Sequence, residues 1–148
     1  MADKFVSKYT SDEIEGILDK ANNLQNYSTE EQIIGSWIDG KPIYQKTIEC
    51  GALSNSSNNV NKFIDTGING IDTVIDIKSI GYFFAQSGDN GYMNTLFWKA
   101  DSSSEYIYTY VGDNTNNGYP NKIAIQYKGN IAWLSNMYVT IQYTKTTD

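Results

Sequence analysis

The 148-residue chain has no histidine and no arginine, one cysteine and two prolines. Each absence removes a class of function. Histidine is the commonest general base and metal ligand. Without it, a serine or cysteine nucleophile has no imidazole to activate it. All 11 basic residues are lysine, so no planar guanidinium fork is present to grip phosphate or a base edge. The net charge of −6 adds to that, and nucleic acid is not an expected ligand. Cys50 has no second cysteine to pair with, so it reads as a small apolar residue at a strand end. No apolar run approaches the length of a membrane span, so no membrane insertion is expected. The opening Met1-Ala2-Asp3-Lys4 is not a basic stretch leading into an apolar core. No secretory signal is therefore expected, and synthesis in a cytoplasm is the default. The length suits one domain with a short appendage, large enough to bury about two-thirds of its unfolded surface.

What the chain does contain points to strands. There are 12 tyrosines and 12 glycines. β-Branched and aromatic residues fill the periodic segments, and Asn, Gly, Asp and Ser fill the gaps, which is an all-β composition with polar loops. Ile71 to Lys78 alternates as a half-exposed strand. Gly81 to Gln86 and Tyr92 to Trp98 read as two more, separated by the loop Ser87-Gly88-Asp89-Asn90-Gly91. Tyr106, Tyr108 and Tyr110 alternate with Ile107, Thr109 and Val111. Ile123, Ile125 and Tyr127 form the next strand, closed by Gly129-Asn130; residues 131–134 are read as a short strand or a turn. Met137 to Thr146 is the last strand, with Val139, Ile141 and Tyr143 on one face. Residues 51–61 read as a polar loop, 62–67 as a short strand, and Asn69-Gly70 as a type I′ turn. Eight or nine short strands at this spacing predict an antiparallel β-sandwich, jelly-roll-like, over residues 27–148.

Residues 1–26 are read as an arm and a short α-helix. Thr10 and Glu13 make a capping box, Asp12 and Glu13 favour the first turn, and Ile14, Ile17, Leu18, Ala21 and Leu24 recur at helical spacing. The helix is placed at 11–23. Two packings are open: the stripe folds onto its own domain, or Ile14 and Ala21 (a) with Ile17 and Leu24 (d) join helices of neighbouring chains.

Residues 27–48 carry the most specific pattern. Asp39-Gly40 reads as a two-residue type I′ turn, pairing Ile38 with Lys41, Trp37 with Pro42 and Gly35 with Tyr44. That register puts Ile33, Trp37, Tyr44 and Ile48 on one face and Ile34, Ile38 and Ile43 on the other, both apolar enough to be covered. Pro42 belongs on an edge strand or at a bulge. Ser28 and Glu31 stand at capping-box spacing for one short helical turn.

The run Glu30-Glu31-Gln32, Gly35, Trp37-Ile38-Asp39-Gly40-Lys41-Pro42-Ile43-Tyr44 and Lys46 resembles the opening of a domain at the C-terminal end of phage and prophage tail-fibre, baseplate or receptor-binding proteins of Gram-positive bacteria. Ile71-Asp72-Thr73-Val74-Ile75-Asp76-Ile77 and the ending from Val139 to Asp148 resemble the same domain. The resemblance spans roughly residues 27–148 and includes no reactive residue. It implies a virion tail component, an oligomer and most often a trimer, with other tail or baseplate proteins as partners; contact with a host surface glycan is the leading expectation, and a purely structural head domain with no external ligand is the alternative.

No enzyme is expected. Glycoside hydrolysis needs a carboxylate pair, and no spacing pairs Glu49 with Glu105. No cofactor and no metal is expected either. Asp113-Asn114-Thr115-Asn116-Asn117-Gly118 faintly resembles a calcium loop, but the twelfth position is Ala124 where a bidentate Glu is required. Tyrosine offers apolar area at little entropic cost, and Asn and Asp add adaptable hydrogen bonds, a mixture that suits sugars. The candidate ligand-binding residues are Asp89, Asn90, Tyr92, Asp113, Asn116, Asn117 and Tyr119; ordinary turn residues around core aromatics are the competing reading. Candidate oligomer contacts are Ile14, Ile17, Ala21, Leu24, Tyr106, Tyr108 and Tyr110.

Overall fold

The computed structural model describes residues 10–23, 27–84, 90–100 and 104–147, without the side chains of residues 20–23, 83, 84 and 90. Helix α1 (Ser11–Asn23) is followed by nine strands: β1 (Gln32–Ser36), β2 (Pro42–Glu49), β3 (Ser56–Asp65), β4 (Ile71–Phe84), β5 (Asn90–Asn94), β6 (Phe97–Lys99), β7 (Tyr106–Val111), β8 (Lys122–Gly129) and β9 (Leu134–Lys145). They form two antiparallel sheets, β1-β2-β9-β4-β5 and β3-β8-β7-β6. The fold is an all-β sandwich with one short helix, as expected. The long-range pairs nest: β2 meets β9 in one sheet while β3 meets β8 in the other.

Strand parity sets the core. Val139, Ile141 and Tyr143 of β9 point inward beside Ile48 of β2, and they meet Ile107 of β7 and Ile123, Ile125 and Tyr127 of β8. Each such side chain contributes about 1.5–3 kcal/mol by leaving water. Where the chain passes from β5 to β6 it changes sheets, and there the core is polar but satisfied. Ser79 Oγ lies 2.6 Å from Thr95 Oγ1, and Thr109 Oγ1 donates to the Thr95 carbonyl at 3.0 Å. The strand expected over residues 92–98 is therefore two strands in different sheets, because Thr95-Leu96 turns the corner. Conversely, the two strands expected over 71–78 and 81–86 are one strand, β4, which Gly81 does not interrupt. Bulges at residues 71–76 break its alternation, so Val74 and Ile77 both reach the core.

The polar stretch 56–61 is the start of β3 and not a loop: Ser56, Val60 and Asn61 pair with β8 around a bulge at 57–59, while Ser57, Asn58, Asn59 and Asn61 are exposed. Lys62 turns its ammonium onto the carbonyls of Cys50 and Ala52, at 2.7 and 2.9 Å. Cys50 is buried beside the end of β2, and burial pushes its thiol up to about 12. Asn69-Gly70 is not a type I′ turn: only Gly70 has positive φ, and the segment crosses from one sheet to the other. Residues 132–133 form a turn.

The β1–β2 hairpin exists, but its turn is longer by one residue. The Gly40 amide donates to the Trp37 carbonyl, and the Trp37 amide donates to the Lys41 carbonyl. Gly40 alone has positive φ (+88°), so Ile38-Asp39-Gly40 is a three-residue loop: a turn followed by a left-handed glycine. The Asp39 carboxylate accepts the Lys41 amide, which holds Asp39 in ordinary φ. The register becomes Ile33 with Tyr44, Gly35 with Ile43 and Ser36 with Pro42, with a bulge between Ile33 and Gly35. Ile38 is consequently 91% exposed at the tip, and Ile33 is exposed on the edge strand, so neither face of the hairpin is fully covered. Pro42 is the first residue of β2, ahead of its pairing with β9, where no amide is needed. Gly40→Val is expected to lower the free energy of unfolding by about 1–2 kcal/mol. A Cβ there meets nothing within 4 Å, so the cost is backbone strain alone. An unchanged urea midpoint would show that the turn tolerates a β-branched residue.

Ser28 and Glu31 do not start a helical turn. Ser28 Oγ accepts the Glu30 amide, and Glu31 reaches across the strand edge to Tyr143 and Lys145. Burial alone would raise the Glu31 pKa, but hydrogen bonds from Lys145 and Tyr143 outweigh it and hold the carboxyl below its ordinary range. A depressed folded-state pKa gives stability that is present above the unfolded value, near 4.3, and is lost as pH falls through the folded value. Glu31→Gln is therefore expected to lower stability at neutral pH and to flatten its decline below about pH 4. Unfolding midpoints measured at several pH values check this; parallel profiles for the two proteins would refute it.

Helix α1 has the predicted bounds and the predicted cap. The Thr10 amide donates to Glu13 Oε2 at 2.7 Å and the Glu13 amide to Thr10 Oγ1 at 3.3 Å. The helix reaches β1, yet Ser11 to Asp19 are exposed, Ile14, Ile17 and Leu18 included. The described part of its stripe, Ile14, Ile17 and Leu18, is thus not buried on the sandwich.

Candidate functional site: two aromatic outer faces

The inward parities of both sheets are taken by the core, so the informative residues are the outward ones. In the five-stranded sheet the register lines up Thr47, Thr140 and Lys78 across β2, β9 and β4. The next row is Glu49, Tyr138, Ile80 and Asn94. Tyr92 lies one row further, opposite Tyr82, with ring centroids 5.1 Å apart. Tyr27 joins them from the segment before β1, held because the Ser28 carbonyl accepts the Thr47 amide at 2.7 Å. Together Tyr27, Thr29, Thr47, Lys78, Ile80, Tyr92, Tyr138 and Thr140 line a half-open groove of about 460 Å³.

The groove is mainly apolar with a hydroxyl floor. Thr47 Oγ1 and Thr140 Oγ1 are 2.9 Å apart. Tyr27 and Tyr92 are 64% and 71% exposed, and Ile80 and Tyr138 are also open. Four large apolar side chains side by side on a solvent face form the kind of patch that marks a binding surface. At the rim, Asn136 Nδ2 donates to both Glu49 Oε1 and Tyr138 Oη at 2.8 Å. Lys78 Nζ stands 3.8 Å from Asp76 Oδ2 and 6.0 Å from the centroid of the Tyr27 ring.

The outer face of the four-stranded sheet is aromatic in a different way. Tyr106, Tyr108 and Tyr110 of β7 all point outward, as their alternation with Ile107 and Thr109 predicts. Tyr108 stacks on Tyr106 and on Phe97 of β6, at 4.8 and 4.9 Å, and Tyr110 follows at 6.4 Å. Phe63 and Tyr119 stack at 5.9 Å, Phe63 being paired through Ala124 with Tyr110. The result is a continuous aromatic row across β6 and β7.

The sequence candidates divide between distant places. Tyr92 is in the groove. Asp113, Asn116, Asn117 and Tyr119 belong to the β7–β8 loop, which is tied to the start of β4: the Asn114 amide donates to the Ile71 carbonyl. Ile71 and Ile80 are nine residues apart on β4, roughly 30 Å along the strand. These candidates therefore do not form one site. The loop also satisfies itself. Asp113 Oδ1 accepts from the Thr115 amide and hydroxyl, bonds that hold its carboxyl below the usual range. Asn116 Oδ1 accepts the Gly118 and Tyr119 amides. Asn117 is exposed, and Tyr119 packs over Gly112 and Phe63. Asp89 lies outside the described residues, and Asn90 is described only as the first backbone position of β5. Of the helix candidates, Ile14 and Ile17 are exposed; Leu24 and the Ala21 side chain lie outside the described residues.

Sequence reasoning missed Tyr27, Thr47, Ile80, Tyr138 and Thr140. The signal for two of them was present: Tyr138 and Ile80 are large apolar residues on the polar parity of strands whose other parity already fills the core. Among the described residues, no three acidic or cysteine side chains converge on a point that could hold a metal. Glu49 ends β2 in one sheet, and Glu105 precedes β7 in the other, where its Oε1 accepts the Asn130 amide. No helix among the described residues is long and apolar enough to cross a membrane. Compared with protein-family models, with curated proteins and with solved structures, the chain finds no match.

Proposed function

We propose that this chain is a phage or prophage tail-tip module, an oligomer that contacts a glycan or cell-wall polymer of the host surface without catalysis. The resemblance of residues 27–148 to the C-terminal domain of tail proteins supplies the biological setting. The observation that carries the binding role is the tyrosine-lined groove outside the five-stranded sheet. Rings that stay open to solvent offer stacking area to sugar C–H faces, and the threonine floor offers hydroxyls to sugar hydroxyls. The absence of histidine, and the placement of Glu49 and Glu105 at different sheets, support a role without hydrolysis. In this setting the protein is made in the bacterial cytoplasm and works in the virion tail.

A second reading is a structural head or cap domain with no external ligand. The aromatic row of Tyr106, Tyr108, Tyr110 and Phe97 favours it, since tyrosine is enriched at subunit contacts. One experiment separates the two. The purified full chain is incubated with intact host envelopes and sedimented. Binding that falls about tenfold in Tyr138→Ala is expected for the receptor role. An intact oligomer that binds no envelope would instead establish the structural role.

A further inference from the structure

We infer that the groove outside the five-stranded sheet selects an uncharged saccharide and rejects acidic ones; this rests on the glycan-contacting reading and names its ligand class. The argument is one of charge. Of the eight lining residues only Lys78 is charged, and the register sets two carboxylates, Asp76 and Glu49, in the rows on either side of the Lys78 row. Asp76 precedes Lys78 by two residues on the same face of β4, in the row with Gln142 and Gln45. Glu49 is in the Tyr138 row, fixed there by Asn136. The local balance is thus one cation against two anions, in a chain of net charge −6. A phosphate or carboxylate on the ligand would meet two carboxylates against one ammonium, whose charge Asp76 already offsets at 3.8 Å. A neutral sugar would not, and it can use every polar group present. Lys78 Nζ is 3.8 Å from Asp76 Oδ2, beyond hydrogen-bond reach, so its donors can serve hydroxyls. Asp76 Oδ1 accepts the Ile77 amide, which fixes the carboxylate and leaves Oδ2 as an acceptor. Tyr138 Oη accepts from Asn136 and keeps its own proton to donate. A groove of about 460 Å³ suits one or two sugar rings and not an extended polymer segment.

The test uses the ¹⁵N-labelled full chain in amide NMR titrations. The neutral probes are glucose, galactose, rhamnose and N-acetylglucosamine; the acidic probes are glucuronic acid and glucose 6-phosphate. At least one neutral probe is expected to shift the amides of Thr47, Lys78, Ile80, Tyr92 and Tyr138 at concentrations up to about 50 mM. Acidic probes are expected to bind about tenfold more weakly at low salt. Tyr138→Ala should weaken the neutral probes about tenfold. The double variant Glu49→Gln, Asp76→Asn, which removes both negative charges, should bring the acidic probes to within about twofold of the neutral ones at low salt. Acidic probes that bind as well as neutral ones, shifts confined to other faces, or no shift with any neutral probe would each overturn the inference. If envelope binding persists in Tyr138→Ala, the groove is wrong and the tail-tip reading stands. If neutral sugars bind in the groove but no envelope is bound, the tail-tip reading fails and the groove stands.

Discussion

Tyr143→Ala is expected to lower the free energy of unfolding by about 3–5 kcal/mol, the range for a large aromatic removed from a core. Tyr143 is fully buried on the inner face of β9, the strand flanked by β2 on one side and β4 on the other. Its ring stacks on Tyr44 with centroids 5.8 Å apart, and its hydroxyl donates to Glu31. Removing the side chain opens a cavity at the centre of the larger sheet and takes one of two donors from the Glu31 carboxylate; the other is Lys145. Tyr143→Phe separates the two effects. It keeps the ring and loses the charge-assisted hydrogen bond, so about 1.5–3 kcal/mol is expected. Domains of this kind are stable by about 5–15 kcal/mol, so the alanine variant forfeits a large share. Urea unfolding monitored by tryptophan fluorescence measures both. A loss under about 1 kcal/mol in the alanine variant would contradict the packing described for β9.

Light scattering on the full chain at micromolar concentration is expected to give about 50 kDa, three times the 16.6 kDa chain. Tyr108→Glu is expected to reduce it to a single chain. The three-fold state comes from the tail-fibre resemblance, and Ile14 with Ile17 at a and d positions agrees with more than two strands. Yet two heptads bury too little area to hold three chains at ~25 cal/mol per Å². The aromatic row of the four-stranded sheet is the surface able to supply the rest. Tyr108 is its centre, in contact with Phe97, Tyr106 and Tyr110, and a carboxylate there would have to be desolvated without a partner. A chain truncated to begin at Asn26 is expected to keep the oligomer and lose some of its stability. A monomeric full chain would sink the proposal. A folded Tyr108→Glu protein of unchanged mass would move the contact to another face.

The helix and the strands with clean alternation, such as β7, were legible because they depend on neighbours in sequence. Alternation of Ile107, Thr109 and Val111 with Tyr106, Tyr108 and Tyr110 determines which residues share a face, whatever the strand pairs with. The Thr10–Glu13 cap is equally local, and α1 has its predicted bounds. Composition determined what chemistry is absent: no imidazole, no guanidinium and no disulfide within the chain.

Tertiary structure decided everything that depends on partners. The one-residue difference in the 38–40 turn changed the whole hairpin register, because a strand's pairing is set by where its turn closes. Thr95-Leu96 could not be read as a corner, since its signature is a buried hydroxyl network contributed by Ser79 and Thr109 from other strands. Glu31, read as a cap residue, found Tyr143 and Lys145 more than a hundred residues away. The groove belongs to the same class. Tyr27, Thr47, Ile80, Tyr92 and Tyr138 come from five separate parts of the chain, and only the strand order β2-β9-β4-β5 makes them neighbours. Sequence periodicity states which way a side chain points, and long-range strand pairing alone states what stands beside it.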